Sequence, residues 1–259
     1  MVFSFLRRSA AGRPAPGHQA GQGAPPAFVP IAPSEPVCLV GDLHGRADLL
    51  ERFLATRETH FPAARIVFLG DMIDRGPDSA AVLARVRQEV AKGAVALAGN
   101  HEAMFLAFLD RPEQSRFWLK HGGFEMAASY GLDAGGLAPE ELHARISGAM
   151  GDEMLAWLRA LPLVWQSGNL VAVHAGLDPA LPVAMQEAGV LQWGHRDFGR
   201  VPRRDGIWVA HGHTVTERAF ARAGRIALDT GAYATGRLSF VAVDPALPES
   251  ERLMIAVTP

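Results

Sequence analysis

The stretch Val37-Cys38-Leu39-Val40-Gly41-Asp42-Leu43-His44-Gly45 decides how the rest of the chain is read. Four consecutive apolar residues make a short buried strand, and an Asp and a His two positions apart then leave its C-terminal end. Alternate residues leaving a strand can point to one side, and the flanking glycines let the backbone turn sharply and leave room for an ion. Asp and Gly also make ordinary turns after strands, so the stretch draws its weight from repetition. The pattern returns twice, as Gly70-Asp71-Met72-Ile73-Asp74-Arg75-Gly76-Pro77 after the apolar run 66–69 and as Gly99-Asn100-His101-Glu102 after 94–98.

Helices are expected over 47–57 and 78–91, between the three strands. In the second, Val82, Val86 and Val90 fall on one stripe with Leu83 beside them, while Arg85, Arg87 and Lys92 lie mostly away from it. This βαβαβ order predicts a parallel sheet with right-handed crossovers. In such sheets ligands bind in the crevice beyond the carboxyl ends of the strands, so the three loops converge on one site. Asp, His and Asn are oxygen and nitrogen ligands suited to Mn, Fe or Zn, and a carboxylate between two ions bridges them.

At 259 residues, 49% of them apolar, the chain has enough to build one larger α/β domain. A net charge of −2 offers no overall reason to propose nucleic acid or a membrane surface as partner, and no apolar run approaches the ~20 residues that span a bilayer. Cys38 is the only cysteine, which fits a reducing, cytoplasmic setting. Residues 1–8 place their arginines after the apolar residues, the wrong order for a secretory signal. Residues 9–36 are rich in Gly, Pro, Ala and Gln without a hydrophobic period, so 1–36 is expected to be a disordered or extended leader to a domain over 37–259. Oligomeric state is not legible.

The three loops match, position for position, the GDxHG, GDxxDRG and GNHE signature of the calcineurin-like metallophosphoesterases, and the chain resembles their PPP-type serine/threonine protein phosphatases. Trp118-Leu119-Lys120-His121-Gly122-Gly123, Ser129-Tyr130-Gly131, His174-Ala175-Gly176, His211-Gly212-His213-Thr214 and Asp229-Thr230-Gly231-Ala232-Tyr233 are similar to the bacterial branch. The resemblance implies two divalent ions, Mn first and Fe or Zn as alternatives. Asp42, His44 and Asp71 would hold one; Asp71, Asn100, His174 and His213 would hold the other, with Asp71 bridging. It further implies direct attack on phosphorus by a water or hydroxide between the ions. Arg75 would clamp phosphate oxygens, and His101 would protonate the leaving alkoxide, its ring fixed and its pKa raised by Asp74. Asn100 and Arg196 are the further candidate substrate contacts. Trp193-Gly194-His195-Arg196 carries one residue more between Trp and Arg than is usual in relatives, and Val215 stands where a proline is common.

Other histidines weigh differently. His18, His60, His121 and His143 sit in no motif and read as surface or core residues. His174 ends the strand-like run 170–173, whereas His211 and His213 compete for one position that only the resemblance assigns, to His213. Between Asn100 and His174, Met104, Phe105, Phe108, Phe117 and Trp118 with helical stretches at 140–150 and 152–160 suggest an inserted helical cap over roughly 103–162. Short strands are expected at 163–166, 170–173, 207–211, 225–228, 238–243 and 253–257. The whole is an α/β fold, a two-sheet β-sandwich flanked by helices. Three functions are consistent with it, in this order: a serine/threonine protein phosphatase acting on phosphorylated protein or another small phosphoester, a dinucleoside polyphosphate (diadenosine tetraphosphate) hydrolase, and a non-catalytic phosphate-binding protein.

Overall fold

Four successive apolar residues need cover on both sides, and β1 (Val37–Val40) is buried on both faces. Val37 and Leu39 meet a second sheet, while Cys38 and Val40 meet helices, as the period-two alternation of a strand dictates. The computed structural model describes residues 28–258. The first sheet runs β10-β9-β1-β2-β3, with β2 Arg65–Phe68, β3 Val95–Ala96, β9 Leu238–Val243 and β10 Leu253–Thr258. β1, β2 and β3 are parallel and are joined by α1 (Ala47–His60) and α2 (Ser79–Ala91); β9 and then β10 pair antiparallel.

The second sheet runs β4-β5-β6-β8-β7, with β4 Val164–Ser167, β5 Leu170–Val173, β6 Trp208–His211, β7 Phe220–Arg222 and β8 Arg225–Ala227. Its β5, β6 and β8 are parallel, and antiparallel partners close both edges. Leu39, Val67, Leu97, Ala172, Ala210 and Leu228 interdigitate between the two sheets. This is the expected two-sheet α/β architecture, and it sends the loops after β1, β2, β3, β5 and β6 to one place.

Residues 100–159 form α3 (Asn100–Asp110), α4 (Ser115–Trp118), α5 (Phe124–Ser129), α6 (Pro139–Met150) and α7 (Asp152–Arg159). The stretch is helical, but its core is not separate. Phe105, Phe108, Trp118 and Met126 belong to the same apolar cluster as Leu50, Phe68 and Val82. Phe108 and Trp118 stack at 4.7 Å, so these rings serve packing. β3 is shorter than the run 94–98 because Ala98 N–H turns to the carbonyl of Pro162. β7, α8 (Ala188–Trp193) and α9 (Ala232–Thr235) are too short to leave a periodic signal in the sequence.

Within the stretch 1–36, residues 28–36 form neither helix nor strand and are fastened to the second sheet. Ala32 N–H donates to Asn169 Oδ1 at 2.7 Å, the Ser34 and Ser167 hydroxyls lie 2.6 Å apart, and Ile31 is buried. The leader reading for 1–27, and His18 with it, lies outside the described residues. Among the described residues no helix is long and apolar enough to cross a membrane.

Candidate metal centre

Five of the six described non-glycine residues with left-handed backbone lie in the motif loops: His44 (φ 42°), Asp71 (48°), Asp74 (70°), Arg75 (65°) and His213 (61°). Each such residue costs about 1–2 kcal/mol, a strain that accumulates at functional sites. Backbone hydrogen bonds hold it in place. Leu43 and His44 N–H both donate to Asp71 O, at 3.1 and 2.8 Å, and Gly45 N–H donates to Met72 O at 2.9 Å. Glycine is sterically required at positions 99 and 76, since a Cβ at Gly99 would overlap Asp71 Oδ1 and the Asp71 backbone nitrogen, and one at Gly76 would overlap the His44 carbonyl oxygen.

Those loops aim lone pairs at one another. His44 Nδ1 lies 2.9 Å from Ile73 O, and His174 Nδ1 lies 2.9 Å from Leu69 O, so each ring is oriented by a backbone carbonyl. Their Nε2 atoms then stand 3.6 Å from Asp71 Oδ2 and 3.4 Å from Asp71 Oδ1. Asn100 Oδ1 sits 2.9 Å from His174 Nε2 and 2.8 Å from His213 Nδ1. His44, Asp71 and His101 make one group of mutually close donor atoms, and Asp71, His174 and His213 make a second, so Asp71 belongs to both. Asp42, buried beside them, accepts from His213 N–H with both oxygens, at 3.3 and 3.1 Å.

The electrostatics call for cations. Burial, then Asp229, pushes the Asp42 carboxyl well above the usual range, and burial, then Asp71, pushes Glu102 up to about 7. Burial alone would lower His174, yet the Asp71, Asp42 and Glu102 carboxylates outweigh it and take the ring up to about 10. Burial brings His44 down to about 3 and His213 down to about 4, leaving both as the neutral imidazoles that bind metal. Acceptor atoms converging among buried carboxylates fit divalent cations, whose binding competes with the proton on His174.

Beside the donor groups stands a buried relay. His101 Nδ1 lies 2.7 Å from Asp74 Oδ2, and Asp74 Oδ1 accepts from Trp118 Nε1–H at 3.0 Å. His101 Nε2 is buried without a hydrogen-bond partner among the described residues and points toward Asp71 Oδ2, 3.9 Å away. The expected rise in the His101 pKa is not seen; burial pushes it down to about 4. Asp74 does not counter this, because its own burial drives its carboxyl well above the usual range, toward the neutral form.

Arg75 is half-buried, with its guanidinium carbon 4.9 Å from the Tyr233 ring centroid. Arg196 is not brought to this cluster: its side chain is 87% exposed and its ion pair is with Asp197. The two rival histidines are separated by the fold. His213 joins the donors, whereas His211 turns away, 3.2 Å from an Arg225 nitrogen and packed on Phe198.

Glu102 is the residue whose part the sequence left unread. Its Oε2 accepts from Gly99 N–H at 2.7 Å and Asp71 N–H at 2.9 Å, and its Oε1 accepts from Met72 N–H at 2.8 Å. One buried carboxylate thus ties the loop after β2 to the loop after β3. A Glu three positions after the Gly99 N-cap is the capping-box pattern, a local signal of this role that the sequence reading did not use. Glu102→Ala strands three buried donors at roughly 1–3 kcal/mol each, so urea denaturation is expected to show a loss upward of ~3 kcal/mol. An unchanged midpoint would remove Glu102 from this role.

Two sheets flanked by helices, with Asp, His and Asn donors converging at strand ends, define a metallophosphatase-like protein. The chain belongs to the calcineurin-like phosphoesterase family, whose profile matches residues 35–222. It is 33% identical over 150 residues to the symmetrical bis(5'-nucleosyl)-tetraphosphatase of Aeromonas salmonicida (strain A449), covering 55% of this chain and 45% of that protein. It is 42% identical over 89 residues to serine/threonine-protein phosphatase 1 of Salmonella typhimurium (strain LT2), covering 34% and 38%. The matches thus span about half the length of these curated relatives, or less. The crystal structure of a candidate diadenosine tetraphosphatase shares the fold, with a TM-score of 0.63 at 21% identity over 90% of this chain and 98% of that one.

Proposed function

We propose that the chain is a dinuclear-metal-dependent hydrolase that cleaves dinucleoside tetraphosphates symmetrically. The observation that carries the two-ion reading is the Asp71 carboxylate shared between two groups of donor atoms. In this reading Asp42, His44 and Asp71 hold one ion, Asp71, Asn100, His174 and His213 hold the other, and Mn is the first choice over Fe or Zn. When bound, the ions supply a water acidic enough to lose its proton near neutral pH and neutralise charge on the phosphoryl group. Arg75 offers a planar fork to the phosphoryl oxygens. His101 gives its Nε2 proton to the departing oxygen while its Nδ1 takes the proton of the neutral Asp74 carboxyl 2.7 Å away, and Trp118 holds that carboxyl in place. Diadenosine tetraphosphate plus water then yields two ADP. A cytoplasmic setting belongs to the same reading, in keeping with the free thiol of Cys38.

This reverses the order in which the sequence ranked protein phosphatase and dinucleotide hydrolase. The longer similarity, 150 residues against 89, favours the dinucleotide. Serine/threonine protein phosphatase is the second reading, favoured by the higher identity of that shorter segment. The intact His101–Asp74 pair, at 2.7 Å, speaks against a merely phosphate-binding protein.

The deciding experiment supplies metal-depleted protein with Mn, Fe or Zn and offers it diadenosine tetraphosphate or a phosphothreonine peptide, with products separated by chromatography. ADP is expected as the sole nucleotide product, at a kcat/KM about a hundredfold or more above the peptide's. ATP plus AMP would overturn symmetrical cleavage. Dominant peptide turnover would move the function to protein dephosphorylation.

A further inference from the structure

A cavity of about 280 Å³ opens on the outer face of the second sheet, between the segment 198–203 and the β7–β8 hairpin. Val209 lies at its floor, and Arg200, Arg222 and Arg225 line it with Phe198 and Phe220. The Arg225 guanidinium lies 5.0 Å from the Phe198 ring centroid and 5.5 Å from that of Phe220, and Arg222 covers Phe220 at 4.5 Å. Among the described residues no carboxylate is within ion-pair distance of Arg200, Arg222 or Arg225; the nearby Asp197 and Asp205 pair with Arg196 and Arg203 instead.

Arg225 is the least satisfied. Its Nε is buried with no hydrogen-bond partner among the described residues, and one terminal nitrogen reaches only the His211 ring at 3.2 Å. Burial and the neighbouring Arg222 together lower its pKa, a sign of positive charge crowded without an anion. The half-buried Arg225 guanidinium keeps an unused Nε–H donor, and the planar fork of a guanidinium matches phosphate oxygens. A cavity of about 280 Å³ is too large for a lone ion and close to the lower bound of small-molecule sites.

We propose that this pocket binds a small phosphorylated organic anion, of mononucleotide size, at a site separate from the metal centre. Val209 lies within β6, which ends at His211 before His213, and none of the residues lining the pocket belongs to either group of metal-centre donors. Phe198 lies between them. Its ring meets His211 edge-on at 5.0 Å and packs so closely on Gly176 that a Cβ there would overlap it.

The test is hydrogen–deuterium exchange on the full-length, Mn-loaded protein with AMP, inorganic phosphate or adenosine as probe. AMP is expected to slow exchange at 198–203 and 220–225. Arg222→Gln and Arg200→Gln, both at exposed positions, should each raise the AMP concentration needed by about tenfold or more. Phosphate giving the same protection at higher concentration supports recognition of the phosphoryl group, and adenosine giving it equally overturns that recognition. No protection of these segments by millimolar AMP, or protection unchanged in both variants, overturns the site. Binding at the metal centre reads out separately, in 41–45 and 70–77, so the outcome does not depend on which substrate is hydrolysed there.

Discussion

Asp71→Asn is expected to reduce bound Mn from about two ions per chain to nearly none and to lower kcat/KM by about a thousandfold or more, some 4 kcal/mol of transition-state stabilisation. Its carboxylate is the one group common to both sets of donor atoms, facing His44 Nε2 with one oxygen and His174 Nε2 with the other. Asparagine removes the charge and one of the two ligand oxygens while keeping the shape. The fold should survive. The bonds that fasten position 71 to Glu102, Leu43 and His44 use its backbone, and asparagine tolerates the left-handed φ of 48°. Metal content by mass spectrometry, with the exposed Asp48→Asn as control, checks the result. Two ions retained in Asp71→Asn would refute the bridging assignment.

His101→Asn is expected to separate the two candidate reactions. An alkoxide leaves poorly without a proton, so turnover of a phosphothreonine peptide should fall by roughly 10²–10⁴, the usual worth of a general acid. A nucleotide phosphate has a second pKa of about 6 and leaves with little help, so loss on diadenosine tetraphosphate should be nearer tenfold. The geometry behind this is the His101 Nε2 atom, buried, without a hydrogen-bond partner among the described residues and 3.9 Å from Asp71 Oδ2. His101 also falls in a donor group with His44 and Asp71, so metal content is measured alongside. Equal losses on both substrates, accompanied by loss of an ion, would make His101 a ligand and not the proton donor.

Much of this site was legible before any fold was known, because its signals are local. β1 announces itself as an apolar run, and the Gly-flanked loops after β1 to β3 carry His44, Asp71, Asp74 and Arg75 in backbone that the surrounding glycines permit. His174 follows a four-residue apolar strand in the same way. The helical stretch after Asn100 was legible as helix but not as part of the main core, since a repeat of apolar residues says which face is buried and not against what.

What the sequence determined by itself is the two-sheet α/β class and the strand-end loops that carry the candidate donors, since strand period, turn glycines and residue chemistry act over a few neighbouring positions. Only the tertiary structure decided which donors meet. The pairing of His174 with Asn100 spans 74 residues, that of Trp118 with Asp74 spans 44, and that of His213 with Asp42 spans 171. It chose His213 over His211, left Arg196 in solvent, and gave Glu102 its three backbone donors. Each of these outcomes depends on how two sheets and their helices pack, and packing is set by the whole core at once.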